Sequence, residues 1–462
     1  MSSTLDAVLA QCDSQYEAAK GRLFDWLRIP SISAQPSHAA DCRQAAEWVR
    51  DQLRDLGFSA ELRPTAGHPV VVGHHPGPGE GAPHLLFYGH YDVQPADPLE
   101  LWTSPPFDPQ EVRGPHGARV VARGAVDDKG QTMMWLEALR AWHGVTGSLP
   151  VRVTVLIEGE EEVGSPSLDG FLAANRGELG ADVAIISDTG MWDIDTPAIT
   201  ARLRGMVYAQ IDLHAAKRDL HSGLYGGSAL NPINALTHIL GGLQDEAGRV
   251  QIPGFYDGIA GIGAAQAAEW AALGFDEGAF LADIGLAQPA GEQGRGGLER
   301  LWARPTADLN GIWGGYTGEG SKTVIPASAH AKLSCRLVPG QDPTRVAEGI
   351  KAFVRQRLPA DARAEVTILN TTPGIEVPAD SPFVAAARRA LGEEYGRPAV
   401  LIGSGGSIPV VESLRRLLGL DSLLMGFGLN DDQVHSPNEK FELRCFHKGM
   451  RSHARLLAAL AR

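Results

Sequence analysis

Four short, nearly unbroken apolar runs constrain this chain more than any other feature: Val70 to Val72, Leu85 to Tyr88, Val151 to Ile157 and Val183 to Ile186. Runs of this length, bounded by polar loops, read as strands buried on both faces. A helical stretch, Met133 to Trp142, lies between two of them. Strand alternating with helix predicts a mostly parallel sheet with helices on both faces. Upstream, Leu5, Val8, Leu9, Tyr16, Leu23, Phe24 and Leu27 recur at helix spacing, up to the stop at Ile29-Pro30. A second helix is expected to start from Ser37 as N-cap and to run through Trp48, Val49, Leu53 and Leu56 to Gly57.

The pattern changes near residue 202. Met206 to Leu213 and Ala329 to Leu337 alternate apolar and polar positions, as an antiparallel sheet with one wet face requires. A helix from Ile233 to Leu243 lies between them, and the Gly-, Pro- and Ala-rich stretch from 245 to 320 gives little order. From 375 strand and helix alternate again, ending in a helix from Cys445 to Leu460. A chain of 462 residues exceeds one compact core. The expected organisation is a mostly parallel α/β catalytic domain, 1–202 and 375–462, interrupted by an inserted α+β lid and dimerisation domain, 203–374.

A net charge of −14 argues against nucleic acid or an anionic membrane as partner, since both need a basic surface. No run approaches the roughly 20 apolar residues that span a bilayer. The N-terminus shows no basic segment ahead of an apolar core. The four cysteines, Cys12, Cys42, Cys335 and Cys445, are scattered without a CxxC pair, as in a reduced cytoplasmic protein.

Binding sites in open parallel sheets lie at the carboxyl ends of strands. Five polar clusters fall at or near such ends: His90 to Asp92, Asp127-Asp128, Glu158 to Glu162, Asp188, and Asn430 to His435. Each has a plainer reading alone. His-x-Asp is usually a surface pair, an acidic run a solvated loop, and Asp before a helix an N-cap. Together they offer His and carboxylates, without Cys, to one edge of one sheet. That donor set suits zinc, manganese or cobalt in a catalytic site, and dications make packed carboxylates tolerable.

These clusters resemble the co-catalytic metallopeptidase family of aminoacylase, bacterial glutamate carboxypeptidase, succinyl-diaminopimelate desuccinylase and the cytosolic dipeptidases. The resemblance runs from Phe24 to Cys445 and is nearest the carnosinase-like dipeptidase branch. It is carried by Tyr88-Gly89-His90-Tyr91-Asp92-Val93-Gln94-Pro95, Asp219-Leu220-His221-Ser222-Gly223, Ser321 to Pro326, Arg336-Leu337-Val338-Pro339 and Gly405-Gly406-Ser407-Ile408-Pro409. It implies hydrolysis of the amide bond of dipeptides by a metal-bridged water. N-acyl- or N-succinyl-amino-acid amidohydrolysis is the alternative within the same chemistry. It implies two divalent ions, zinc first and manganese or cobalt as alternatives. His90 and Asp188 would hold one, Glu162 and His435 the other, and Asp127 both, with a cis peptide between Asp127 and Asp128. Asp92 would orient His90, and Glu161 would be the general base. The adjacent Glu160-Glu161 pair leaves a shift by one position open. The spacing to Gly164-Ser165 favours Glu161-Glu162. His221 would serve the oxyanion in a neighbouring subunit of a homodimer. Arg336 would receive a substrate carboxylate, and Gly405, Gly406 and Ser407 would offer backbone N–H groups to the same end. Gly403-Ser404 stands where the animal carnosinases carry an Arg-Glu pair, which puts carnosine itself in doubt as a substrate.

Overall fold

The computed structural model describes residues 2–406 and 408–461. The chain divides into two compact units. Met1–Ala201, Val377–Ile402 and Pro409–Arg462 form the first, Arg202–Glu376 and Gly403–Ile408 the second. The expected division gave all of 375–462 to the first domain. Instead Gly403–Ile408 groups with the second, where Gly405 and Gly406 carbonyls accept hydrogen bonds from Arg204 (3.1 and 3.2 Å).

The first unit is built on a six-stranded sheet in the order Ser59–Arg63, Val70–His75, Arg152–Glu158, His84–His90, Val183–Ile186, Ser422–Leu424. Val70–His75 alone runs against the other five. Leu85 and Phe87 point to one face and Leu86 and Tyr88 to the other, and all four are fully buried. Burial on both sides is the reason these strands read as unbroken apolar runs. On the Leu85–Phe87 side the core includes residues of the helices Lys129–Thr146 and Leu443–Leu460. These helices approach so closely that a Cβ on Gly449 would lie 2.0 Å from Met134 Sδ. Trp135 stacks on Phe87, centroids 4.8 Å apart, and meets His453 edge-on.

The amino-terminal helical run is two helices, Ser2–Ser14 and Tyr16–Leu27, parted at Gln15. Ser37 is not an N-cap; it lies in the 3-10 turn Pro36–His38, and the helix Ala39–Asp55 starts from His38. A small antiparallel sheet, Lys440–Glu442 beside Gly117–Val121 beside Gln110–Gly114, was not apparent in the sequence because its strands lack a clean apolar period.

The second unit holds a four-stranded antiparallel sheet in the order Thr306–Gly314, Ser328–Leu337, Gly205–His214, Arg363–Thr372. Val207, Ala209, Ile211 and Leu213 alternate with half-exposed Met206, Tyr208, Gln210 and Asp212. The buried set packs with Leu236, Ile239 and Leu240 of the helix Pro232–Gly241 and with Ile350 and Phe353 of Pro343–Arg357. The outer strands and the second helix escaped the sequence reading. Among the described residues no helix is long and apolar enough to cross a membrane.

Trp135→Ala is expected to destabilise the first unit by about 3–5 kcal/mol, the range for emptying a buried aromatic site. Chemical denaturation followed by circular dichroism measures it. A midpoint equal to that of the parent protein would show that this stack does not carry the packing.

Candidate active site

His90 is the last residue of its strand, in register with Glu158 on the neighbouring parallel strand. Glu161 and Glu162 follow in the 3-10 turn Glu161–Val163. Asp188 comes two residues after the strand Val183–Ile186. Asp127 arrives differently from the expectation of a strand end: it sits in the turn into the helix Lys129–Thr146, and its peptide bond to Asp128 is cis. His435 lies on the long loop after Ser422–Leu424, with φ of 60°. A non-glycine residue in that left-handed region costs about 1–3 kcal/mol and persists only where its surroundings fix it. The loop is fixed by Asn438, which accepts from Thr103 N (2.7 Å) and donates to Leu101 O (2.8 Å).

These residues converge as two triads that share Asp127: His90, Asp127 and Asp188, and Asp127, Glu162 and His435. Asp127 Oδ1 is 3.1 Å from His90 Nε2, and Asp127 Oδ2 is 2.9 Å from His435 Nε2. Asp188 Oδ2 lies 3.8 Å from His90 Nε2, and Glu162 Oε2 lies 3.1 Å from His435 Nε2. His90 Nε2 is fully buried and, among the described residues, has no well-aligned hydrogen-bond partner. A buried, inward-facing imidazole nitrogen ringed by carboxylate oxygens fits a cation better than a hydrogen bond. One carboxylate offering a separate oxygen to each triad suits a pair of ions.

The electrostatics tell the same story. Burial, then the charges of Asp127 and Asp128, push Asp188 well above the ordinary carboxylate range. Burial, then Asp188, Asp127 and Glu162, push Glu161 up to about 8, with His90 opposing. Burial would also raise Asp127, but His435 and His90 hold it low. His435 is raised to about 10 by Asp127 and then Glu162. So many carboxylates at one point repel one another, and divalent cations relieve that repulsion.

The triple glutamate divides by direction. Glu160 Oε1 accepts from His68 N (3.2 Å), in the turn where Gly67 leaves room for it. Glu161 instead feels the carboxylates of the two triads. Asp92 differs in detail from expectation. The nearest partner of His90 Nδ1 is the backbone carbonyl of Asp92 at 3.1 Å, with the carboxylate at 3.4 Å. That carboxylate accepts from Glu161 N and Glu162 N (3.3 and 3.1 Å), so Asp92 also orients the glutamate turn. Gln94 Nε2 donates to Glu162 Oε2 at 2.8 Å.

The remaining candidate residues lie in the second unit. His221 is exposed and accepts from Gly223 N on Nδ1 (3.0 Å), which leaves Nε2 to carry the ring proton in the neutral form. Arg336 is half-buried on the strand Ser328–Leu337, opposite Met206. Gly405 and Gly406 turn their carbonyls to Arg204, and Gly406 N donates to Ser404 Oγ (3.1 Å). That N–H is therefore engaged within the loop, contrary to the expectation that it serves a ligand. Ser407 lies outside the described residues. A Cβ on Gly403 would lie 2.5 Å from Trp302 Cβ, so this position has no room for a larger residue.

Sequence reasoning missed Glu439. Fully buried, its carboxylate accepts from Arg123 Nη1 (2.7 Å) and from the backbone N–H groups of Gly124, Val126 and Asp127 (3.0, 3.0 and 3.1 Å). It thereby fixes the turn that presents Asp127. Within Asn438-Glu439-Lys440 it looks like part of a charged loop, and only its four donors distinguish it. Glu439→Ala leaves Arg123 buried and unpaired, a loss of about 3–5 kcal/mol. We expect a large fall in the thermal midpoint of the metal-free protein together with weaker zinc uptake by titration. An unchanged midpoint with full uptake would remove Glu439 from this role.

The comparisons with known proteins agree with this geometry. The model of the family described as peptidase family M20/M25/M40 matches residues 86–459. The chain is 30% identical to the Cys-Gly metallodipeptidase of Schizosaccharomyces pombe, over 98% of this chain and 97% of that protein. It is 28% identical to the Beta-Ala-His dipeptidase of Rattus norvegicus, over 100% of this chain and 96% of that protein. Among solved structures, the M20 family metallo-carboxypeptidase Sso-CP2 of Sulfolobus solfataricus superposes with a TM-score of 0.82 at 30% identity, covering 96% of this chain and 99% of that one. With two triads joined by one aspartate at the strand ends, and a family match across most of its length, the chain belongs to peptidase family M20/M25/M40.

Proposed function

We propose that this protein is a metal-dependent dipeptidase of broad specificity, acting on small peptides with a free carboxylate. The observation that carries the reading is the pair of His–carboxylate triads sharing Asp127, with Glu161 beside them. The names of the relatives, a Cys-Gly metallodipeptidase and a Beta-Ala-His dipeptidase, supply the substrate class. Two divalent ions, zinc first and manganese or cobalt as alternatives, would be held by His90, Asp127 and Asp188 and by Asp127, Glu162 and His435; when bound they acidify water and polarise a carbonyl.

The chain's own residues do the rest. Glu161 takes a proton from the attacking water and passes it to the leaving amine, so that hydroxyl joins the carbonyl carbon and hydrogen the nitrogen. Asp92 holds His90 and the glutamate turn in place, the supporting role that ligating histidines need. His221, with its proton on Nε2, donates to the oxygen that becomes negative. Arg336 pairs with the C-terminal carboxylate of the substrate, to which a guanidinium is matched in shape and charge. Gly405 and Gly406, whose carbonyls hold Arg204, would border the same end of the substrate. Gly403, closed against Trp302, leaves that end without an added charge and favours ordinary dipeptides over carnosine. N-acyl-amino-acid hydrolysis is the competing reading. Rates on free dipeptides and on N-acetyl and N-succinyl amino acids, with zinc, manganese and cobalt supplied separately, decide between them.

A homodimer fits the second unit. Its edge strand Thr306–Gly314 exposes Leu309, Ile312 and Trp313, and an unpaired apolar edge seeks a partner. Four free, buried cysteines suit a cytoplasmic protein.

Glu161→Gln is expected to keep metal and lower kcat by about 10²–10⁴, while Glu160→Gln stays near the parent rate. The reverse ranking in steady-state assays would move the base by one residue. If His221 acts across a dimer, mixing His221→Ala with Glu161→Gln restores activity at roughly a quarter of the sites, because one mixed-dimer site then carries neither lesion. No recovery, with subunit exchange shown by a separate label, would mean that His221 works within its own chain or not at all.

A further inference from the structure

The second unit carries another arginine beside Arg336. Arg204 precedes the strand Gly205–His214, and Arg336 lies opposite Met206 on the neighbouring strand, so both belong to the half-exposed face of the sheet. Arg204 is held at two points by the Gly405–Gly406 loop. Its backbone N–H donates to Gly406 O (3.2 Å) and its Nε to Gly405 O (3.1 Å). That grip uses one edge of the guanidinium. A Cβ on Gly405 would lie 2.9 Å from Arg204 Nη2, so a side chain there would press on the guanidinium.

Two positive charges on one face of neighbouring strands repel each other. Burial and then the charge of Arg336 lower Arg204 to about 10, well beneath an ordinary arginine. Among the described residues no carboxylate lies within ion-pair distance of either one. The carboxylate whose field reaches Arg204 is that of Asp308, and it accepts from Thr306 Oγ1 (2.9 Å). Arginines in proteins stay charged and are usually paired when half-buried. A pair without a counter-ion among the described residues leaves its charge open to an anion.

We propose that Arg204 and Arg336 together form the pocket for the substrate's terminal carboxylate, with Arg204 locked in place by the Gly405–Gly406 loop. The inference deepens the dipeptidase reading and rests on it. It gives the glycine loop a different task from the one its sequence suggests: its carbonyls aim a cation, and the cation meets the anion. A carboxylate has two oxygens with about four acceptor positions, enough for one fork from each arginine. Substrates lacking the charge, such as peptide amides, are disfavoured by leaving both guanidiniums unpaired.

The test uses the full-length, metal-loaded enzyme and one free dipeptide, alanyl-alanine. Arg204→Met is expected to raise KM about 10- to 100-fold, the scale for losing a charged hydrogen-bonded partner, with kcat within about threefold of the parent. Arg204→Lys recovers part of the loss through its charge. Gly405→Ala, which crowds the guanidinium without removing it, raises KM in the same direction. A fall in kcat with KM unmoved, in Arg204→Met or in Gly405→Ala, would make Arg204 a scaffold for the loop and overturn the proposal. So would a parental KM in both variants. If Arg204→Met does not fold by circular dichroism, the KM of Gly405→Ala decides alone. A parent enzyme that cleaves no free dipeptide under any metal sinks the dipeptidase reading itself, which is a different result from a parent that cleaves dipeptides and variants that share its KM.

Discussion

The Asp127 carboxylate faces His90 with one oxygen and His435 with the other, at 3.1 and 2.9 Å, and it does so while almost completely buried. A buried carboxylate is unstable unless its position is enforced and its charge answered. Enforcement comes from Glu439, which pins the turn from Gly124 to Asp127 through three backbone N–H groups and Arg123. A further carboxylate, that of Asp128, accepts from Thr132 Oγ1 and ties the start of the following helix to the backbone of His90. The two histidines of the centre are therefore referred to one rigid point. Displacing that point by a fraction of an ångström would open both triads at once.

Around this point the carboxylates are sorted by what else they touch. Glu160 is drawn away by a backbone N–H at His68, whereas Glu162 is steadied by Gln94. Glu158, buried beneath them, is raised to about 8 by burial first and accepts from Tyr88 and Ser165. Glu161 is left with its neighbours' charge and, among the described residues, without a donor to its carboxylate. Like residues in one acidic run thus acquire unlike roles through their partners, not their chemistry. The second unit shows the same effect with the sign reversed: the charge of Arg336 bears on Arg204, and among the described residues no carboxylate lies at ion-pair distance from either.

Much of this was legible in the chain. Leu85 to Tyr88 and Val183 to Ile186 announced strands because both their faces are buried, and Met206 to Leu213 announced a half-wet sheet because only one is. The five positions that meet in the two triads could be named because they follow such strands or precede a helix, and because imidazole and carboxylate are the side chains a catalytic metal pair needs. Other elements left weak traces. Gly117–Val121 pairs with Gln110–Gly114 on one side and, on the other, with Lys440–Glu442 from the far end of the chain, and Gln110–Gly114 is mostly exposed. The break at Gln15 falls where no proline marks it, and Ser37 had the right chemistry for a cap but the chain had already turned.

What the sequence by itself determined was the kind of fold and the inventory of reactive groups, since periodicity and residue type are local properties written by backbone geometry. Which partners each glutamate takes, which oxygen of Asp127 meets which histidine, and how the Gly405 carbonyl meets Arg204 were decided only by tertiary structure. Each depends on groups far apart in the chain, such as Glu439 with Asp127 or Arg204 with Gly405, meeting where water is excluded. In that setting the free energy of a polar group is set by its partners rather than by its neighbours in sequence.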